Sequence, residues 1–93
     1  MFKCVIGLFG LPNEIATEHE VEVELRDEAS LTDVIVALRR KIPKLEGLVI
    51  RAGKDKLTED YVFNINGRFY TDDKEIRIRR GDHVALLALP TGG

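Results

Sequence analysis

The sequence predicts a single α+β domain in which one helix covers one face of a small sheet. Three observations predict it. Glu20 to Leu25 alternates glutamate with apolar residues, Leu31 to Ile42 carries apolar residues at helical spacing, and Asn66-Gly67 is a strong hairpin signal. With 93 residues, the chain is too short for a second core.

The first two segments predict a pair of strands. Lys3 to Phe9 is β-branched and apolar, as expected of a buried strand. Residues 10–19 contain Gly10, Pro12 and Asn13 and predict a loop. In Glu20 to Leu25, the valines and leucine would face the core and the glutamates would face water. One connecting loop favours antiparallel pairing.

The next segment predicts the helix. Ser30 followed three residues later by Asp33 indicates an N-cap with an acidic partner. The apolar positions then form one stripe, at Leu31, Val34, Ile35, Leu38 and Ile42. Three cations in the last turn suit the negative end of the helix dipole, and Pro43 ends the helix.

The second half predicts a connection followed by short strands. Residues 44–60 are mixed in polarity and are interpreted as an anchored connection with one short turn or strand. Tyr61 to Ile65 and Arg68 to Tyr70 form the hairpin around Asn66-Gly67, and Ile76 to Arg79 alternates briefly. The last strand, Val84 to Leu89, is apolar at both parities. A strand of that kind is central in its sheet, or it offers one face to a partner.

Composition excludes several classes of function. The net charge of −2 and a pI near 5.7 disfavour nucleic acid as a partner. No apolar run approaches the roughly 20 residues that span a bilayer, so we expect no membrane partner. A single cysteine, Cys4, excludes an internal disulfide and fits a reducing cytoplasm, where we expect the protein to be located.

Recognisable catalytic and metal-binding patterns are missing from the sequence. His19, His83 and Cys4 have no metal-ligand spacing, and no phosphate-binding glycine loop occurs. Adjacent acidic residues, such as Asp72 and Asp73, are typical of solvated turns. We therefore expect no intrinsic catalytic residue, no metal and no bound cofactor.

The sequence given ends in Thr91-Gly92-Gly93, directly after its most apolar strand. Glycines without a Cβ can thread a narrow channel and present an α-carboxylate to a reagent. Such a carboxylate can attack the α-phosphate of ATP held by another enzyme, and a sulfur nucleophile can then displace AMP. The simpler interpretation is a frayed, unreactive tail.

The order of elements and three motifs together resemble the MoaD/ThiS family of ubiquitin-like sulfur carriers. The motifs are Asn66-Gly67, the stretch Gly81 to Ala85 and the terminal Gly92-Gly93, in order and at fixed spacing to the end. The resemblance implies a β-grasp fold: a mixed sheet of four to five strands packed on one main α-helix, with the first and last strands adjacent and parallel. It divides the chain into a β-grasp domain, residues 1–90, and a flexible tail, residues 91–93.

The length of the chain favours the MoaD-like members, and these imply a role as small subunit of molybdopterin synthase. Gly93 would be adenylated by an activating enzyme that uses ATP and then converted to a thiocarboxylate by a sulfur donor protein. Gly92 and Thr91 would enter the partner's active site. The chain would then give sulfur to the pyranopterin precursor bound by the large catalytic subunit. The docking residues expected from the resemblance are Leu86, Leu87, Leu89 and Pro90.

Two alternatives remain open from the sequence. The same activation of Gly93 serves a ubiquitin-like modifier joined to lysines. A β-grasp interaction module would instead have an unreactive glycine tail, so that deleting Gly93 changes nothing.

Overall fold

A five-stranded mixed sheet and one α-helix form the protein, in a computed structural model that describes residues 1–90. The elements are β1 (Phe2–Phe9), β2 (Glu20–Leu25), α1 (Leu31–Lys41), a short 3-10 turn (Pro43–Leu45), β3 (Tyr61–Ile65), β4 (Arg68–Tyr70) and β5 (Val84–Ala88). The strand order is β2-β1-β5-β3-β4. β1 and β5 are parallel, and all other neighbours are antiparallel. The expected β-grasp fold is confirmed, with its first and last strands adjacent.

The pairing of β1 with β2 follows from the alternation in β2. Cys4 lies opposite Val23, and Ile6 lies opposite Val21, all with their side chains in the core. The expectation that β1 is buried is correct for one face only. Val5 and Phe9 are about half exposed, at 47% and 52%, because the helix covers only the other face of the sheet.

Helix α1 begins and ends where its local sequence predicts. The Ser30 hydroxyl accepts a hydrogen bond from the Asp33 backbone N–H at 3.1 Å, and the Asp33 carboxylate accepts one from the Ser30 backbone N–H at 2.9 Å. This reciprocal capping box satisfies two N–H groups that the first turn leaves unpaired. The stripe of Leu31, Val34, Ile35 and Leu38 is buried, and Pro43 starts the 3-10 turn.

The connection between α1 and β3 is anchored by buried side chains and has only isolated bridges. Ile50 bridges to Glu46 and to Leu57, and Val49, Ile50 and Leu57 are buried. The expected alternating segment at 76–79 is likewise reduced to a single bridge, between Ile78 and Ala29. Of the two alternating isoleucines in this segment, only Ile78 is fully buried. One buried side chain is not enough to hold the segment as a strand.

The core lies between α1 and the face of the sheet that points toward it. Its largest fully buried side chains are Phe63, Ile6, Leu38, Leu45, Ile50, Ile78 and Leu86. β5 lies at the centre of the sheet, between β1 and β3, as the apolar composition of that strand predicts.

Candidate functional site

The side of the sheet that α1 leaves uncovered, which we call the open face, is apolar at its centre. Along β5, Val84 and Leu86 are buried in the core, so Ala85 and Leu87 point to the open face. The register continues this row across the neighbouring strands: Leu87 lies between Phe9 of β1 and Val62 of β3. One strand parity therefore builds the core and the other builds an apolar surface.

The open face carries a shallow apolar depression toward the end of β5. Its volume is about 460 Å³, and its lining includes Phe9, Phe69, Leu87, Leu89 and Pro90. Phe69 is 66% exposed and Leu89 is 41% exposed. Exposed aromatic and aliphatic side chains grouped in this way are typical of a protein-docking surface.

Two glycines shape this end of the open face. A Cβ on Gly7 would stand 2.7 Å from Cε2 of Phe9, so the bare backbone of Gly7 leaves room for the Phe9 ring. Gly10 has a φ of +79°, and a Cβ there would stand 2.9 Å from Cβ of Ala88. Glycine at position 10 thus permits the left-handed turn and the close approach of the chain to the end of β5.

The prediction that Leu86 is a docking residue is wrong. Its side chain is fully buried in the core. Side chains alternate between the two faces along β5, and that of Leu86 points toward α1. Leu87 is half-buried on the open face, and Leu89 and Pro90 are exposed beside it. Phe9, Val62 and Phe69 share this surface and were not predicted. These three residues are brought together by the register of β1, β5, β3 and β4, which the sequence alone does not specify.

The end of β5 is tied down immediately before the last described residue. The Leu89 backbone N–H donates to the Asp60 carbonyl at 2.7 Å. Pro90 follows and borders the apolar depression. Thr91, Gly92 and Gly93, predicted to carry and thread the reactive carboxylate, lie outside the described residues.

The two internal motifs of the resemblance form one hydrogen-bonded unit. The Asn66 side-chain amide donates to Asp82 Oδ1 at 3.1 Å, and its oxygen accepts from the His83 N–H at 2.9 Å. The Asn66 backbone N–H donates to the His83 carbonyl at 2.9 Å. Asp82 Oδ2 also accepts the Arg79 N–H at 2.7 Å. These hydrogen bonds join the β3–β4 turn to the turn that precedes β5. The two motifs therefore have a structural role in this protein.

Residues 1–90 contain no grouping of three or more His, Cys, Asp or Glu side chains that could hold a metal ion. Cys4 is buried, and desolvation, with a smaller effect of the Asp82 charge, raises the pKa of its thiol above the ordinary value. A thiol of this kind is a poor nucleophile. Within the described part of the chain, no helix is both long and apolar enough to cross a membrane.

A β-grasp sheet with one covered and one apolar open face defines a ubiquitin-like protein. The chain belongs to the ThiS family, which it matches over residues 6–93. It has the fold of the ubiquitin-like sulfur carriers of the ThiS/MoaD type. Small carriers of this family are generally non-catalytic and work with an activating enzyme and a larger subunit.

Solved structures share this fold. SAMP1 from Haloferax volcanii is 25% identical, with a TM-score of 0.80 over 99% of this chain and 100% of that one. Molybdopterin converting factor subunit 1 from Pyrococcus furiosus is 22% identical, with a TM-score of 0.73 over 97% of this chain and 100% of that one. A search of curated proteins gave no match.

Proposed function

We propose that this protein is a sulfur carrier whose terminal carboxylate, on Gly93, is converted to a thiocarboxylate and donates sulfur in molybdopterin biosynthesis. The observation that carries the proposal is the match to the ThiS family through the Gly92-Gly93 terminus. The apolar open face beside Leu89 and Pro90 supports it, because a partner seated there would hold the chain next to its reactive end.

The proposed chemistry has two steps, both on a partner enzyme. A carboxylate oxygen of Gly93 attacks the α-phosphate of ATP, and pyrophosphate leaves. A hydrosulfide equivalent from the sulfur donor protein then attacks the acyl carbon, and AMP leaves with the original oxygen. One oxygen is replaced by one sulfur with no change in oxidation state. The chain supplies the carboxylate and its access, and the partner binds ATP.

Gly92 provides that access in this proposal. A β-branched side chain at position 92 would widen the segment that enters the partner and would restrict its backbone. Thr91 is already β-branched, so the segment is required to be narrow only from position 92 onward. Leu87, Leu89 and Pro90, with Phe9 and Phe69, would provide the contact with the activating enzyme and with the large subunit.

The structural likeness to SAMP1 from Haloferax volcanii, the small archaeal modifier protein 1, supports a second candidate function. In this alternative, the ε-amine of a lysine attacks the acyl-adenylate, and AMP leaves as an isopeptide bond forms. Activation is shared by both functions, and they differ only in the nucleophile.

The test is the intact mass of the full chain after incubation with its host's activating enzyme, ATP and a sulfur source. A sulfur carrier gains the mass of sulfur minus oxygen, and deletion of Gly93 abolishes that gain. Gly92→Val should block activation, while Thr91→Val, a near-isosteric change one residue earlier, should leave it intact.

Linkage to lysines of other proteins, without a thiocarboxylate, would favour the modifier. An unchanged mass, with the enzyme active on another carrier, would leave the unreactive interaction module as the remaining function.

A further inference from the structure

The outer edge of β2 carries backbone groups that form no hydrogen bond to another strand within residues 1–90. β2 is the terminal strand of the sheet, and among residues 1–90 its backbone pairs only with β1. The opposite edge strand, β4, has only three residues, whereas β2 has six. An exposed strand edge of this length is a template for another extended chain.

The register identifies which backbone groups of β2 point outward. The Leu8 N–H donates to the His19 carbonyl at 2.7 Å, immediately before β2 begins. In an antiparallel pair, hydrogen-bonded and non-hydrogen-bonded positions alternate, so Val21, Val23 and Leu25 bond to β1. The N–H and C=O groups of Glu20, Glu22 and Glu24 therefore face away from the sheet.

The side chains on the same residues give this edge its charge. Glu20, Glu22 and Glu24 form one row on the open face, and the one salt bridge to them in residues 1–90 is from Lys3 to Glu22 at 4.0 Å. A second copy of this chain paired through β2 would place glutamates beside glutamates, which is destabilising. A strand with basic side chains at alternate positions would instead place a cation beside each carboxylate.

The other side of the same edge is a groove between β2 and α1. Two open depressions of about 310 and 240 Å³ lie along it. The half-buried side chains of Ile42, Val36 and Ala37 form their aliphatic part, and charged side chains of α1 and of the flanking loops, among them Arg26, Arg40 and Lys41, also line them. Alternate side chains of an added strand would enter this groove. Apolar side chains can pack there on Val36, Ala37 and Ile42, whereas basic side chains would meet the cations of α1.

We propose that the β2 edge binds an extended segment of another protein in which basic and apolar residues alternate, by adding that segment to the sheet as a sixth strand. Its backbone would bond to Glu20, Glu22 and Glu24, its basic side chains would lie beside their carboxylates, and its apolar side chains would enter the β2–α1 groove. This surface is separate from the apolar depression at the end of β5, and the proposal does not depend on the proposed function.

The probe is a fluorescently labelled peptide, Lys-Val-Lys-Val-Lys-Val-Lys, titrated into the full chain. Its control has the same composition in blocks, Lys-Lys-Lys-Lys-Val-Val-Val. Alternation should improve affinity at least about fivefold, since only the alternating peptide can use both sides of the edge. Amide NMR signals of residues 20–25 should shift. Equal affinity of the two peptides, or shifts confined to other residues, would overturn the proposal.

Two variants isolate the backbone bond. Glu22→Thr removes the charge and keeps the N–H, whereas Glu22→Pro also removes the outward N–H without breaking a bond to β1. Glu22→Pro should bind the alternating peptide about fivefold more weakly than Glu22→Thr, as expected for the loss of one hydrogen bond. Glu75→Thr, at an exposed glutamate outside the sheet, is the control for net charge. Equal binding by the two Glu22 variants would refute strand addition.

A charge exchange tests the proposal even if Glu22→Pro does not fold. Glu22→Lys should bind the lysine peptide about tenfold more weakly and should bind Glu-Val-Glu-Val-Glu-Val-Glu more tightly than the unmodified chain does. Failure of either change would show that the glutamate row does not select the charge of the partner.

Discussion

Asp82 is the acceptor that joins two turns, and Asp82→Ala tests whether this unit stabilises the fold. The substitution removes the acceptors of the Arg79 N–H at 2.7 Å and of the Asn66 side-chain amide at 3.1 Å. It leaves the backbone bond from Asn66 to the His83 carbonyl in place. The β3–β4 turn should then be held to the start of β5 by fewer bonds.

The expected cost follows from these two hydrogen bonds. Each contributes about 1 kcal/mol net, and the charged acceptor adds little at this exposed site, so the loss is about 2 kcal/mol. For a domain of this size, each kcal/mol lowers the melting temperature by roughly 4 to 8 °C. The Asp82→Ala variant should therefore melt about 8 to 16 °C below the unmodified chain.

Urea unfolding and thermal melting measure this loss, with Asp82→Asn as the matched variant. Asparagine keeps one side-chain oxygen acceptor of the same shape, so it should recover about half of the loss. Asp72→Ala is the control, because within residues 1–90 the Asp72 carboxylate accepts one hydrogen bond, from the hydroxyl of the adjacent Thr71. If Asp82→Ala costs less than about 0.5 kcal/mol, the hydrogen-bonded unit does not stabilise the fold.

Three further predictions concern the cap, the connection and the open face. The Ser30 N–H first, and then Arg26, hold the pKa of Asp33 below its ordinary value of 3.8, so Asp33→Ala should cost about 1 kcal/mol at pH 7. That cost should shrink as the pH falls through the folded-state pKa of Asp33, measured by urea unfolding from pH 7 to pH 2, and a constant cost would exclude the cap charge. Arg39→Met should speed amide exchange in residues 46–58, because the Arg39 guanidinium holds Asp55 at 2.7 Å and the Lys54 carbonyl; unchanged exchange there would contradict this. Leu87→Ser should reduce activation by the partner enzyme with little change in stability, whereas Leu86→Ala should cost about 3 kcal/mol of stability, and the reverse pattern would refute the assignment of faces.

Elements defined by neighbouring residues were predictable from the sequence. The capping box at Ser30 and the stripe through Leu38 lie within one helix, and Asn66-Gly67 specifies its hairpin by itself. In that turn Asn66 and Gly67 both have positive φ, at 53° and 91°. Each of these signals depends on contacts only a few residues apart, so tertiary packing had little to override.

Features that depend on distant pairing were not predictable in the same way. Whether Leu86 or Leu87 faces the core is set by the register of β5 against β1 and β3, so both were named as docking residues. Arg39 is one of the three cations of the last helical turn, which the sequence analysis attributed to the helix dipole. Its guanidinium nevertheless binds Asp55, in a loop 16 residues further along. A single residue's partner across such a separation has no local sequence signature.

The central position of β5 connects the stability of the fold to the proposed function. Leu86 supplies a core side chain, Leu87 lies on the open face, and the same strand leads to the carboxyl end of the sequence. The hydrogen bond from Leu89 to Asp60 fixes the end of that strand two residues before position 91. Gly93 is four residues after Leu89, so it can lie at most about 14 Å from Leu89 even if the chain is fully extended. A partner bound to Phe9, Phe69 and Leu87 would therefore find Gly93 close to its contact surface. This short distance requires the partner's adenylating site to lie beside the surface that contacts the open face. The proposed carrier function therefore depends on the open face as well as on Gly93.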